Sequence, residues 1–293
     1  MANTWTIRDL LNWTIDFLKS KKIDTARLDS EILLSHALHI SRLKLYLDMD
    51  RPVTPEERGI FKRLVIKRAN YVPVAYLTGL KEFWSIPINV DSRVLIPRPE
   101  TEKIVEVVLK RLGDRKGRYC LADLGTGSGC ITIALGLELP NACFVASDIS
   151  IPALKLAKQN FGEYKLSHRI QLVCGNWLDM LASDKPVFHA IISNPPYIDS
   201  DYYHASLPPD IVKHEPRIAL YGGSKGLDAI QSIIASSLDF ISPGGFLILE
   251  IGSDQGCRVK TLLEQTGYKA AEIIKDYSGR DRVAIGYKTK RIK

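Results

Sequence analysis

From about residue 118 the chain switches repeatedly between two hydrophobic periods, and this alternation limits the fold more than any other feature. Short apolar runs at Tyr119–Leu124, Cys143–Ser147, Ile170–Cys174, Ala190–Ser193, Phe246–Ile251 and Val283–Tyr287 read as strands. Longer stretches with helical spacing, such as Ile151–Phe161 and Leu227–Phe240, lie between them. Strand-then-helix repetition builds parallel pairs joined by crossovers, and so a mainly parallel, doubly wound α/β sheet covered on both faces.

Before residue 85 the pattern is helical. Ile7, Leu11, Ile15 and Leu18 share one face of a first helix, and Leu28, Ile32, Leu33 and Ala37 one face of a second. A further helix has Thr54 as N-cap, Pro55 at its first position and Glu57 three residues after the cap. Its apolar face is predicted at Ile60, Leu64 and Ile66. The run Phe83, Trp84, Ile86, Ile88, Val90 reads as a hairpin or connector. The expected organisation is therefore a helical bundle over 1–85, a hairpin, linker and lead-in helix over 86–117, and an α/β domain over 118–293. The length of 293 residues suits two domains.

Composition excludes several classes. Five cysteines form no C-x-x-C pair, so neither a disulfide framework nor a zinc site is expected, and a reducing, cytoplasmic setting fits. Arg8, Asp9 and Asp16 break the first apolar stretch, so no signal peptide is expected, and no run approaches a membrane span. The net charge of +7 is spread along the chain and permits a nucleic-acid partner without requiring one. The densest basic run, Lys288, Lys290, Arg291 and Lys293, reads as a solvated terminus.

Two motifs carry chemistry. The first, Gly125-Thr126-Gly127-Ser128-Gly129, follows a strand and opens a helix, with Asp123 just upstream. Glycines there allow a tight turn and close backbone approach to a ligand. A dinucleotide fingerprint needs a glycine at position 130, which is Cys130 here. The spacing suits a nucleoside ligand without a pyrophosphate, such as S-adenosylmethionine. Asp148 ends the next strand, 23 residues after Gly125, where a carboxylate grips ribose hydroxyls. Asp148 and Ser150 could equally cap the following helix. Trp177, at a third turn, is either a face for adenine or a core tryptophan.

The second motif is Asn194-Pro195-Pro196-Tyr197, at the end of the fourth strand of the α/β region. An amide or ring-amino nitrogen attacks poorly because its lone pair is delocalised. The Asn194 side-chain carbonyl and the Pro195 backbone carbonyl can each accept one N–H of a target NH2 group. Two acceptors orient the nitrogen and favour the positive charge that develops on it. The prolines stiffen the loop, and Tyr197 offers a ring face to a planar target.

With these residues in place, the chain resembles the HemK/PrmC family, the protein-(glutamine-N5) methyltransferases of class I peptide chain release factors. The resemblance runs through Pro73–Gly79, Phe83-Trp84, Leu95–Glu102, Asp123–Gly129, Asn194–Ile198, Glu215–Gly223, Gly226-Leu227-Asp228 and Pro243–Gly252. It implies a class I S-adenosylmethionine methyltransferase fold, Rossmann-like, with a seven-stranded mainly parallel sheet and an antiparallel strand near the C-terminus. It also implies that Gly125, Thr126, Gly127, Ser128, Gly129, Asp148, Trp177 and Asn194 contact the methyl donor, which leaves as S-adenosylhomocysteine. Asn194, Pro195, Pro196 and Tyr197 would hold the glutamine of a Gly-Gly-Gln loop, with Asn194, Pro195 and Tyr197 catalytic. The helical domain would help dock the release factor. Arg98, Glu100 and Thr101 would lie near the mouth of the site. No metal, membrane or direct nucleic-acid partner is implied, and a monomer is expected. The chain departs from the family at Asn176, where many members are acidic. The rival reading is an amino-methyltransferase acting on adenine N6 or guanine N2, for which no basic cluster interleaved with aromatics is present. A nicotinamide-dependent oxidoreductase is opposed by the glycine spacing. A non-catalytic scaffold is opposed by the presence of both Asp148 and Asn194.

Overall fold

The structure is a computed structural model that describes residues 5–179 and 187–289. Of the basic terminal run, Lys290, Arg291 and Lys293 lie outside the described residues. Lys288 is not a solvated tail residue, because its Nζ donates to Leu238 O at 2.8 Å. The chain forms two compact units: one holds the residues up to Leu80 together with Pro208–His214, the other Lys81–Leu207 with Glu215 onward.

The helical unit contains α1 (Ile7–Ser20), α2 (Ala26–Leu38), α3 (Arg42–Leu47), α4 (Pro55–Ala69) and α5 (Val74–Thr78). Local chemistry sets its helix starts. Thr6 and Asp9 form a capping box on α1, as Thr54 and Glu57 do on α4, where Pro55 takes the first turn. Ile7, Leu11, Leu18, Leu33, Leu34, Leu45, Phe61 and Val65 fill the core.

The face predicted for α4 holds at Leu64, which packs against the core, but not at its other two positions. Ile60 and Ile66 are exposed, and the buried stripe is Phe61, Val65 and Arg68. The cause is Arg68, whose guanidinium is drawn inward by Asp29 at 2.7 Å. An inward arginine at this helical spacing turns the i, i+4, i+7 face toward Phe61 and Val65. Leu28 of α2 is likewise exposed, while Leu33 and Ala37 are buried.

The second unit opens with the hairpin of β1 (Leu80–Phe83) and β2 (Ile86–Asn89). Trp84 and Ser85 link the strands with φ of 54° and 57°, the conformation of a two-residue hairpin turn that matches strand twist. A 3-10 turn at Pro99–Thr101 then leads into α6 (Glu102–Leu112). The alternating region follows as β3 (Cys120–Leu124), α7 (Cys130–Glu138), β4 (Cys143–Asp148), α8 (Ile151–Glu163), β5 (Ile170–Cys174) and β6 (Phe188–Ser193). Next come α9 (Ser200–Ala205) and α10 (Pro209–His214), the latter part of the helical unit. The chain ends with α11 (Asp228–Ser237), β7 (Ile241–Glu250), α12 (Gly256–Thr266), β8 (Lys269–Lys275) and β9 (Asp281–Tyr287).

The seven strands lie in the order β5-β4-β3-β6-β7-β9-β8. The first five pair in parallel, and β9 pairs antiparallel with both β7 and β8. This is the expected seven-stranded, doubly wound sheet; the apolar runs indicated six of its strands and missed β8. The central strands are buried on both faces, as Ile191, Ile192, Leu247, Ile248 and Leu249 at 0% exposure attest. The order reverses between β3 and β6, so the loops after β3, β4 and β6 converge at the switch point where open α/β sheets bind ligands. No helix among the described residues is long and apolar enough to cross a membrane.

Candidate functional site

The loop after β3 is locked to its neighbour strand before any ligand arrives. The N–H groups of Gly125 and Thr126 both donate to Ser147 O, at 2.8 and 2.9 Å. Gly125, Gly127 and Gly129 have φ of 71°, 56° and 82°, in the left-handed region where a side chain is strained. Gly129 is also sterically fixed, because a Cβ there would lie 2.5 Å from the Phe161 ring. At Gly127 a Cβ would meet nothing within 4 Å, so the backbone at the middle of the loop borders open space.

Under the loop sits Asp123, 1% exposed. Its Oδ2 accepts from the Thr126 and Thr132 hydroxyls at 2.7 and 2.6 Å, while Oδ1 has no hydrogen-bond partner. Burial pushes this carboxyl up to about 6, against the pull of the two hydroxyls. Asp148 ends β4 with both oxygens turned to backbone: Oδ2 accepts from Gly127 N at 2.9 Å and Oδ1 from Ser150 N at 2.8 Å. Ser150, not Asp148, caps α8, accepting from Ala153 N. Burial raises the Asp148 pKa, and the backbone N–H donors oppose the rise. Each oxygen of this fixed carboxylate retains capacity for a further hydrogen bond.

After β5, Trp177 takes φ of 50° and brings its ring to 3.4 Å from where a Gly125 Cβ would stand. The ring is partly buried against the core and also lines the cavity described below. Asn176 donates to Asp179 Oδ2 at 3.3 Å.

The tetrapeptide after β6 is anchored at both ends. Ser193 donates to Leu124 O at 2.7 Å, which ties the strand end to the glycine loop. Asn194 Nδ2 donates to Thr101 Oγ1 at 3.1 Å. The Tyr197 hydroxyl donates to Glu250 Oε1 at 3.0 Å, and Arg282 Nη1 approaches the same hydroxyl at 3.4 Å. Burial drives the Tyr197 phenol far above its ordinary value and Glu250 adds to the effect, so the hydroxyl stays a donor. The backbone beyond is held by Ile198 N donating to Leu220 O and Gly222 N donating to Ile198 O, at 3.0 and 2.9 Å. Opposite, Glu215 accepts from Ile96 N at 3.2 Å and pairs with Arg98 at 2.5 Å, joining two loops that border the cavity.

These loops enclose a cavity of about 410 Å³. Of the residues named from sequence, Gly125, Thr126, Gly127, Ser128, Asp148, Trp177, Asn194 and Pro196 line it, as do Arg98 and Thr101. Gly129, Pro195, Tyr197 and Glu100 are not lining residues. Tyr221 and Asp228 line the cavity unforeseen, and Glu250 stands behind it. The segments holding Tyr221 and Asp228 had been singled out, but no spacing rule says which member of a loop turns inward. Among the described residues no group of three or more His, Cys, Asp or Glu could hold a metal ion.

The open backbone at Gly127, the oriented Asp148 carboxylate and the Trp177 ring fit a nucleoside such as the adenosyl part of S-adenosylmethionine. Together with the strand order, they define a class I methyltransferase. Residues 9–79 match a family described as PrmC N-terminal domain, and residues 101–227 one described as methyltransferase small domain. A release factor glutamine methyltransferase of Rhodopirellula baltica is 42% identical over 95% of this chain and 95% of its own. One from Moorella thermoacetica is 40% identical over 97% and 99%. The chain belongs to the release factor glutamine methyltransferase family. Solved structures reach further at the level of fold alone: a methyltransferase from Pyrococcus furiosus matches with a TM-score of 0.51 at 19% identity, over 78% of this chain and 98% of that one.

Proposed function

We propose that this enzyme transfers a methyl group from S-adenosylmethionine to the side-chain amide nitrogen (N5) of the glutamine in the Gly-Gly-Gln loop of class I peptide chain release factors, working in the cytoplasm as a monomer. One observation carries the reading most directly. The Asn194 carboxamide spends its nitrogen on Thr101, which leaves Oδ1 as its uncommitted end on a wall shared with the glycine loop and Asp148.

S-adenosylmethionine, when bound, supplies an electrophilic methyl on a sulfonium sulfur. Asp148 would hold the ribose hydroxyls, with its carboxylate pre-oriented by the Gly127 and Ser150 N–H groups. Asn194 Oδ1 and Pro195 O would each accept one N–H of the glutamine amide. Those two bonds fix the amide plane, so that the nitrogen lone pair faces the methyl carbon across the plane. They also favour the positive charge growing on nitrogen as the N–C bond forms, and a preorganised group of this kind contributes about 100- to 1000-fold in rate. The nitrogen becomes acidic as it is alkylated, so its proton leaves to solvent without a strong base beside it. The helical unit would dock the body of the release factor.

The test is transfer of labelled methyl to purified release factor, with a Gln→Ala change in its Gly-Gly-Gln loop as control. Label on the wild-type factor that is lost on the control supports the reading. Label on RNA or DNA instead would replace it with the nucleic-acid amino-methyltransferase.

A further inference from the structure

The group that holds Asn194 is a hydroxyl, and a hydroxyl can face a carboxamide in two ways. It can accept from the nitrogen or donate to the oxygen. Only the first leaves Oδ1 for a substrate N–H. The second would turn an NH2 group toward the NH2 of the substrate and abolish the proposed acceptor. The polarity of the Thr101–Asn194 bond, at 3.1 Å, is therefore a requirement of the site.

What sets that polarity lies one group deeper. Glu250, the last residue of β7, is 1% exposed, and Thr101 is 2% exposed. Glu250 Oε1 accepts from Tyr197, whereas Oε2 closes no hydrogen bond. Burial pushes the Glu250 carboxyl up; the Thr101 and Tyr197 hydroxyls and the Arg282 guanidinium pull it down, and Glu100 adds to the rise. Thr101 and Glu250 thus bracket the tetrapeptide, one bonded to Asn194 and the other to Tyr197, and Glu250 keeps a buried acceptor open. Having accepted from Asn194, the Thr101 hydroxyl needs somewhere to send its own proton.

We propose that Thr101 and Glu250 are positioning residues. The Glu250 carboxylate draws the Thr101 proton, which makes Thr101 Oγ1 an acceptor and pins the Asn194 carboxamide with Oδ1 toward the cavity. The same carboxylate anchors the Tyr197 hydroxyl, so one buried acid holds both ends of the tetrapeptide. Neither residue touches the reacting atoms, and the role rests on the amide-methylation reading. Sequence spacing could not reveal it, because Thr101 lies 93 positions from Asn194 and Tyr197 lies 53 from Glu250.

The conservative series separates this role from simple packing. Thr101→Ser keeps the hydroxyl and loses a methyl; Thr101→Val keeps the shape and loses the hydroxyl. Glu250→Gln keeps the volume but presents an NH2 group that can donate to Thr101 and reverse the relay. The full-length variants are assayed for kcat and KM on release factor. In parallel, hydrogen exchange of the Asn194 side-chain NH2 is followed by NMR, with its resonances assigned by their absence in Asn194→Ala. Expected are a kcat within about threefold of wild type for Thr101→Ser, and at least tenfold lower for Thr101→Val and Glu250→Gln, with KM for release factor little changed. A slowly exchanging Asn194 Hδ2 proton is expected in the wild type and Thr101→Ser and not in Thr101→Val. Wild-type kcat in Thr101→Val, or an Asn194 amide in the wild type that exchanges as fast as an exposed one, overturns the proposal. If the wild type moves no label to release factor, the amide-methylation reading fails, and the exchange comparison, extended to Glu250→Gln, still decides the relay by itself.

Discussion

At the scale of single residues, the two acids of the glycine loop divide the work by where their oxygens point. Asp148 turns its carboxylate to the cavity edge, held by two backbone N–H groups. Removing it takes away a charged acceptor, an interaction of roughly 1.5–3 kcal/mol. Asp148→Ala is therefore expected to weaken S-adenosylmethionine binding by about 10- to 100-fold in calorimetric titration. Asp123 serves the fold instead, tying Thr126 to Thr132 beneath the loop. Its folded pKa of about 6 lies above the ordinary 3.8, so the folded state holds its proton more tightly than the unfolded chain does. A raised value of this kind adds stability below the unfolded pKa, and that stability is lost as pH rises through the folded one. Asp123→Asn cannot titrate. Its unfolding free energy relative to wild type should rise by about 2 kcal/mol between pH 4 and pH 7 and level off above that. Parallel stability curves for the two proteins across this range would refute the assignment.

At the scale of elements, the site depends on loops that touch backbone to backbone, and Gly222 is one such point beside the tetrapeptide. A Cβ there would stand 2.5 Å from Pro196 O and 2.9 Å from Tyr197 Cα, with no flexible side chain to yield. Gly222→Ala must move the acceptors, and a misplacement of about 1 Å costs roughly 100-fold in rate. Gly162 in α8 is the contrast: a Cβ meets nothing within 4 Å, so Gly162→Ala should leave kcat unchanged and raise stability by up to about 1 kcal/mol. This difference between two glycines is invisible in the sequence. The sheet was largely legible because strands buried on both faces spell continuous apolar runs. The exception, β8, reads Lys-Ala-Ala-Glu-Ile-Ile-Lys and lies at the sheet edge, where partial exposure erases the pattern. The glycine loop, Asp148 and the tetrapeptide were legible because each follows a strand end at fixed spacing. Thr101 and Glu250 gave no such signal, since their contacts with Asn194 and Tyr197 are made by tertiary packing across 93 and 53 positions. Arg68 was illegible for another reason: charge is seldom buried without a partner, and its partner Asp29 sits 39 positions away.

At the scale of the whole molecule, the chain crosses between its two units three times, near residues 80, 207 and 214. The segment Pro208–His214, which follows the tetrapeptide and its short α9, folds with the helical unit. There Lys213 lies over the Tyr71 ring at 5.1 Å and the His214 ring meets Asn70 O at 3.1 Å. Arg68 stands at the middle of this arrangement, paired with Asp29 at 2.7 Å, bonded to Val72 O at 3.4 Å and within 3.9 Å of Asp210. Asp29 is 4% exposed, so an Arg68→Ala change strands a buried carboxylate with only the Thr25 hydroxyl beside it. Breaking a buried pair from one side costs roughly 3–5 kcal/mol, whereas replacing both partners with apolar groups of similar volume is often neutral. Denaturant unfolding should therefore show a midpoint that falls sharply in Arg68→Ala and largely recovers in the double change Asp29→Leu with Arg68→Met. An Arg68→Ala protein as stable as wild type would mean that the pair does not organise the helical unit. Recovery in the double variant would show that the charge itself is dispensable for stability. The inward turn of Arg68 would then be a matter of specifying which face of α4 packs, the feature that the apolar pattern of the sequence misassigned.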